Sequence, residues 1–283
     1  MTRNPETKEY AIVMEYADLG TLHDFWDLKE FPNIPLRLQI KMASQLAQAL
    51  KHVHGNNIIH RGNVVMFIFQ NFGFFSRDGF NKNSLEIESP GLDCENVLVR
   101  ENGSIALTGF SLAGTSLKMA SRVKELGEYR NSGVTIDYDN SDIYGLGILL
   151  WEIANKKRAF EDDYDPQLLD QIMDGTRPPY NQFEDGNDAM NGLPADYIQL
   201  FTSCWNINPD LWPSIDDIVD RLDSLMYQLQ DADENWERLE SVWIDSTKNA
   251  TQNDTKGRLN RCCCFHRSIA YVHILSSLRS RCL

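Results

Sequence analysis

The stretch that most restricts the fold of this chain lies near its middle, where residues 141–153 are apolar on almost every helical face. A helix at a protein surface keeps its apolar residues in one stripe, and this segment does not. Because no face is left for solvent, the sequence predicts a central buried helix that begins at Ser141. The apolar positions of this segment are Ile143, Leu146, Leu149, Leu150 and Ile153.

Other helices and a little sheet are predicted around this segment. Apolar residues recur every three or four positions from Pro35 to His54, and further helices are predicted from Pro194 to Cys204 and after a capping Ser214. Residues 10–16 are typical of a buried strand, and residues 97–107 of a short hairpin. The fold class that follows is α+β, with a mainly helical lobe.

Composition excludes several kinds of protein. The chain has 283 residues and a formal net charge of −14, which argues against a nucleic-acid-binding protein. The sequence contains no run of 18 apolar residues, so no transmembrane segment is predicted. The polar start at residues 1–4 is unlike a signal peptide. Three of the six cysteines are adjacent, which is no disulfide framework. Cys94 and Cys204 are therefore expected to be buried thiols in a cytoplasmic protein.

An interrupted motif follows the first long helix. The chain reads Ile-Ile-His-Arg at residues 58–61 and Gly-Leu-Asp-Cys-Glu-Asn at residues 91–96. Without the residues between, the join resembles the catalytic loop of eukaryotic protein kinases, H-R-D-L-x-x-x-N, with His60 and Arg61 as its first two residues. Gly91 stands where that family has its catalytic Asp. The alternative base is Asp93, two positions later.

The same resemblance assigns roles to residues on either side of the catalytic loop. Residues 141–147 read S-D-I-Y-G-L-G, which is similar to a kinase central-helix motif and implies that Asp142 ties down the catalytic loop. The hinge strand between the two kinase lobes corresponds to residues 13–17. Met14 is then the gatekeeper, and the Glu15 carbonyl and the Ala17 amide would contact adenine. The hinge, the Trp-Glu-Ile at 151–153 and the Cys-Trp at 204–205 resemble the tyrosine-kinase-like group.

The metal-binding part of the resemblance is incomplete. Asn96 matches the catalytic-loop Asn that helps to hold a metal ion. Where the family has D-F-G, this chain has Gly109, Phe110 and Ser111, so the metal-binding Asp is lost and the packing Phe is kept. The residues that would perform the chemistry are replaced, and the residues that support the fold are kept. This is the pattern of a pseudokinase.

One buried ion pair of the family is lost at both ends. In kinases the Glu of an A-P-E motif pairs with an Arg near the end of the domain, and Gly133 and Trp212 stand at these positions here. Loss of one partner of a buried pair costs about 3–5 kcal/mol, whereas replacement of both can be nearly neutral. The paired change favours a lobe that still folds.

The predicted domain plan contains one interruption. A kinase-like domain spans 1–230 and consists of the hinge strand and the helical C-terminal lobe, with most of the N-terminal β-lobe missing. An insert at 62–90 holds six of the 13 phenylalanines, and it is either a translated intervening sequence or a lineage-specific insertion. A helical extension at 231–247 and a tail at 248–283 follow.

The tail contains no acidic residue from Lys256 onward. We interpret it as disordered. A first alternative is a reversibly palmitoylated basic segment in weak contact with a membrane, and a second is a zinc cluster, although adjacent cysteines lack the usual C-x₂-C spacing.

Three hypotheses about function follow from the resemblance. The first is a catalytically inactive kinase relative that binds other signalling proteins, for which ATP and Mg²⁺ are relevant only if nucleotide binding survives and neither is required. The second is an active kinase for Ser, Thr or Tyr that uses Asn96 for metal and Asp93 as base. The third is a non-functional gene fragment.

Overall fold

The computed structural model describes residues 2–3, 10–11, 17–26, 34–60, 92–110, 114–115, 139–160, 172, 175–180, 193–232 and 237–247. The strands are β1 Thr2–Arg3, β2 Tyr10–Ala11, β3 Ile58–Ile59, β4 Val97–Val99, β5 Ile105–Leu107 and β6 Gly114–Thr115. The helices are α1 Leu22–Trp26, α2 Leu36–Gly55, α3 Asp139–Asn155, α4 Ala195–Cys204, α5 Ile215–Ala232 and α6 at 237–247. Short 3₁₀ turns occur at Cys94–Asn96 and Pro209–Leu211.

Helix α3 lies at the centre of the described fold, where it packs against α2 and α4. Leu146, Leu149 and Leu150 have no exposed surface, and burial of each such side chain stabilises the fold by about 1.5–3 kcal/mol. The predicted central helix is thus confirmed. It begins at Asp139, two residues before the predicted cap at Ser141.

Helices α2 and α5 pack against each other and carry the amphipathic pattern that the sequence predicts. Ser44 on α2 donates a hydrogen bond to Asp223 on α5, with 2.9 Å between the oxygens. The predicted cap of α5 is present, because the Ser214 hydroxyl accepts from the Asp217 amide at 3.1 Å and donates to the Asp217 carboxylate at 2.6 Å.

The sheet is reduced to antiparallel pairs among the described residues: β1 with β2, β3 with β6, and β4 with β5. The predicted hairpin is the β4–β5 pair. A third segment lies along β4, because the Leu19 amide donates to the Val99 carbonyl at 3.1 Å and the Val99 amide donates to Gly20 at 2.9 Å. This contact fixes the chain just before α1 against the hairpin.

The prediction of two buried thiols is also confirmed. Cys94 and Cys204 are buried free thiols, and burial raises the pKa of Cys204 to about 12, so that its thiol stays protonated. None of the helices that the structure describes is both long and apolar enough to cross a lipid bilayer. The mainly helical α+β fold agrees with the predicted class.

Candidate functional site

A buried carboxylate joins the end of α2 to the first turn of α3. Asp142 has no exposed surface, and its Oδ2 accepts from the His60 backbone amide at 2.8 Å. The same oxygen lies 2.9 Å from Nε2 of His54, which is in the last turn of α2. We call the group of Asp142, His54 and His60 the Asp142 anchor. It holds the start of the catalytic-loop region against the central helix.

His60 has a second connection through its side chain. Its Nε2 lies 2.6 Å from the Thr108 carbonyl, and because a carbonyl can only accept, Nε2 carries the proton. Burial lowers the pKa of His60, so the ring is neutral near pH 7. The ring also meets Phe110 edge-on, with 4.7 Å between the centroids. His60 and Phe110 therefore pack together.

Asp93 caps the 3₁₀ turn at Cys94–Asn96. Its Oδ1 accepts from the backbone amides of Glu95 and Asn96 at 2.9 and 3.2 Å, and from the Asn96 side-chain nitrogen at 3.2 Å. A carboxylate that accepts several hydrogen bonds has its charged form stabilised and its position fixed. This geometry gives Asp93 a structural task that needs no catalysis.

Gly109, which the sequence predicts to stand at the metal-Asp position, has no room for a side chain. Gly109 has a φ of +81°, where side chains are strained, and a Cβ built on it would overlap the Asn96 amide and come within 2.9 Å of Asn96 Cβ. The Asn96 side chain thus fills the volume beside position 109. We call the group of Asp93, Asn96 and Gly109 the Asn96 site.

The Asn96 site does not fit a kinase magnesium centre. Such a centre uses the oxygens of an Asp and an Asn together, and Gly109 supplies no carboxylate. No cluster of three or more His, Cys, Asp or Glu residues that could hold a metal ion occurs in the described ranges.

Several residues assigned from the sequence lie outside the described part of the chain. They are Met14, Glu15, Arg61, Gly91, Gly133, the insert 62–90 and the tail 248–283. Of the hinge residues only Ala17 is described, and its carbonyl accepts from the Gly20 amide at 3.3 Å. The roles assigned to these residues stay predictions.

Trp212, which the resemblance assigns to the Arg position of the family ion pair, has partners in the described fold. It donates from its indole to the Asn206 carbonyl at 2.7 Å and lies 6.0 Å from the Tyr144 ring. The Arg177 guanidinium lies 5.4 Å from that ring and donates to the Trp205 carbonyl at 2.9 Å. A cation from another segment thus stands beside α3.

Arg177 and His54 are two residues of this region that the sequence did not predict. Arg177 follows a segment with no periodic pattern, so no signal in the sequence indicates its partner. His54 could have been found, because it lies in the last turn of α2, six residues before His60 and so near the same acceptor.

Comparison with known proteins identifies the family. A family model described as "Protein tyrosine and serine/threonine kinase" matches residues 2–64 and 91–222, which is more than half of the chain. The two matched parts leave residues 65–90 unmatched.

Individual relatives are distant and much longer. The "Putative serine/threonine-protein kinase/receptor R831" of Acanthamoeba polyphaga mimivirus is 25% identical over 227 residues, which is 80% of this chain and 12% of the relative. "Probable serine/threonine-protein kinase roco5" of Dictyostelium discoideum is 28% identical over 75% of this chain and 7% of its own length. Human receptor-interacting serine/threonine-protein kinase 1 is 25% identical over 76% of this chain and 30% of its own length.

The chain spans less than a third of each of these relatives. The family match covers β1, the α2–β3 region, the hairpin, the central helix and the first part of α5 in one order. This chain belongs to the protein tyrosine and serine/threonine kinase family.

Proposed function

We propose that this chain is a catalytically inactive member of the kinase family that acts by binding other proteins. The observation that carries the proposal is the geometry at Gly109, where the Asn96 amide takes the space that a metal-binding carboxylate would need. Phosphoryl transfer depends on positioning and on neutralisation of phosphate charge by metal ions. Without that carboxylate, the described part of the site has no means of placing the metal.

The behaviour of Asp93 supports the same proposal. A general base must reach the proton that it removes and must be free to accept that proton. The Oδ1 atom of Asp93 is engaged by two backbone amides and by Asn96. Loss of a general base alone typically slows catalysis by about 10²- to 10⁴-fold, and this loss would add to that of the metal ligand.

Retention of the scaffold favours a folded interaction module over a gene fragment. The Asp142 anchor, the His60–Phe110 contact and the packing of the buried residues of α3 are built from residues far apart in the chain. In the domain plan that we propose, a kinase-like domain at 1–230 with an insert at 62–90 is followed by a helical extension and the tail. Other signalling proteins in the cytoplasm are the proposed partners.

An active serine/threonine kinase is the second candidate, because the relatives named above carry that name. It would use ATP and Mg²⁺, with Asn96 as metal ligand and Asp93 as base. One experiment separates the two candidates. Purified protein is incubated with Mg²⁺-ATP and myelin basic protein, and both the melting temperature and phosphate transfer are measured.

Inactivity predicts no transfer and no magnesium-dependent rise in melting temperature. A Mg²⁺-dependent rise together with transfer that Asp93→Asn abolishes would establish the active kinase instead. The absence of a cooperative melting transition would favour the gene fragment.

A further inference from the structure

A short helix outside the family match is seated on the kinase-like lobe. The match ends at residue 222, whereas α6 occupies residues 237–247. The inner face of α6 is deeply buried, because Trp243 is 2% exposed and Thr247 has no exposed surface. The outer face is open, with Leu239 48% and Val242 55% exposed.

The groove under α6 is shaped for the Trp243 ring. The ring meets Phe25 of α1 edge-on with 6.3 Å between the centroids. At Gly103, in the turn of the hairpin, a Cβ would lie 3.2 Å from the Trp243 ring and 2.8 Å from Leu38 of α2. Absence of a side chain at Gly103 therefore makes the space in which the indole sits.

One rim of the groove is basic. Glu240 of α6 forms an ion pair with Lys41 and lies 3.9 Å from Arg37, and both partners are on α2. Glu240 is three residues before Trp243, so the two side chains share one face of α6. The groove thus recognises a carboxylate and an indole one helical turn apart.

A helix as short as α6 is not stable alone. Isolated helices below about 12–15 residues are marginal in water, so α6 is helical because it is docked. It contacts the lobe on one side only. A segment that packs on one side only opens locally at lower free energy than the core.

We propose that this groove, which is bounded by α1, the Gly103 turn and α2, is a docking site for an amphipathic helix. The docked helix carries an acidic residue three positions before a Trp, and α6 occupies the site in cis. A partner protein that presents such a helix binds by displacing α6. The class of partner, a signalling protein, rests on the proposed function. The groove is the surface at which that partner binds.

The test uses the full chain with residues 233–236 replaced by a protease recognition sequence. After cleavage, a fluorescently labelled peptide of residues 237–250 is added, and binding is followed by fluorescence anisotropy. Matched peptides carry Trp243→Ala in the buried face or Leu239→Ala in the exposed face. Uncut protein is the control for occupancy by α6 in cis.

We expect the labelled peptide to bind the cut protein and not the uncut protein. The Trp243→Ala peptide should bind at least about 30-fold more weakly, as for a buried aromatic hot spot, and the Leu239→Ala peptide should bind normally. The proposal would be overturned if the two variant peptides bound equally, if the labelled peptide did not exchange with the cleaved α6 fragment within a day, or if cleavage unfolded the protein. Each of these outcomes leaves the Mg²⁺-ATP result, and with it the proposed function, untouched.

Discussion

The Asp142 anchor and the Asn96 site lie at opposite ends of the same catalytic-loop region and differ in what they retain. In the anchor, a fully buried carboxylate keeps two partners, the His60 amide and the His54 ring. In the Asn96 site, Gly109 carries no carboxylate and the Asn96 side chain fills the volume beside it. Loss of a buried charged group that accepts hydrogen bonds from the backbone lowers the stability of the fold. A charged group that serves only a reaction can be lost without unfolding the protein.

The strongest way to break this comparison is to remove the anchor. Asp142→Ala leaves the His60 amide and the His54 ring without their acceptor, and each buried unsatisfied donor costs about 1–3 kcal/mol. We expect the free energy of unfolding in urea to fall by about 3 kcal/mol or more. Asp216→Ala, which removes the exposed partner of Lys51, is the control and should leave the unfolding midpoint unchanged. Similar effects of the two variants would contradict a structural role for the anchor.

Restoring the family residue at position 109 tests the other side of the comparison. Gly109→Asp forces a side chain into a positive-φ position beside Asn96, and strain of this kind costs about 1–3 kcal/mol. We expect a lower melting temperature and no rise on addition of Mg²⁺. The double variant Gly109→Asp with Asn96→Ala removes the overlap with the Asn96 amide and should recover part of the loss.

A control for Gly109→Asp is available at Gly55, where an added Cβ meets nothing within 4 Å. Gly55→Ala should change stability little. A magnesium-dependent rise in the melting temperature of Gly109→Asp would mean that the site lacks only a carboxylate, and the closed geometry would then be irrelevant.

Much of the fold could be predicted because hydrophobic periodicity determines it. The all-round apolar character of α3 and the three-to-four spacing in α2 and α5 depend on the local sequence alone. Helix ends were less well predicted. Ser141 is a good cap by composition, yet α3 begins at Asp139, because a buried helix takes its ends from tertiary packing as well as from local hydrogen bonds.

The site could be predicted only in part. The sequence predicts that Gly109 stands at a metal-Asp position, whereas the close approach of Asn96 depends on the φ of Gly109 and on the distance between two segments. Asp93 illustrates the same limit. A lone Asp near a lost base suggests a substitute base, and only its hydrogen bonds reveal a cap.

A smaller effect is expected at Asp93, where the comparison can be sharpened. If Asp93 is a cap, Asp93→Ala should cost about 1 kcal/mol, the typical value for loss of a capping side chain. Asp93→Asn keeps an acceptor oxygen and should cost less. Ser214→Ala, at the cap of α5, gives a matched reference measured by the same urea titration. A catalytic base would show the opposite pattern, with unchanged stability and lost phosphate transfer.

The smallest predicted effect is a pH dependence that originates in the Asp142 anchor. Burial lowers the pKa of His60, so the unfolded chain takes up a proton near its ordinary pKa of about 6.5 while the folded chain does not. The unfolded state then binds more protons than the folded state. The contribution of His60 to the free energy of unfolding is therefore fully present above pH 6.5 and decreases as the pH is lowered, by at most about 1.4 kcal/mol per pH unit for one proton.

Urea unfolding between pH 7.5 and 5.5 measures this slope. His60→Gln should flatten it, whereas His52→Gln, on the exposed side of α2, should keep it. Because the contribution comes from a neutral ring packed on Phe110 and bonded to Thr108, an unchanged slope in His60→Gln would mean that another group of the fold carries the acid sensitivity.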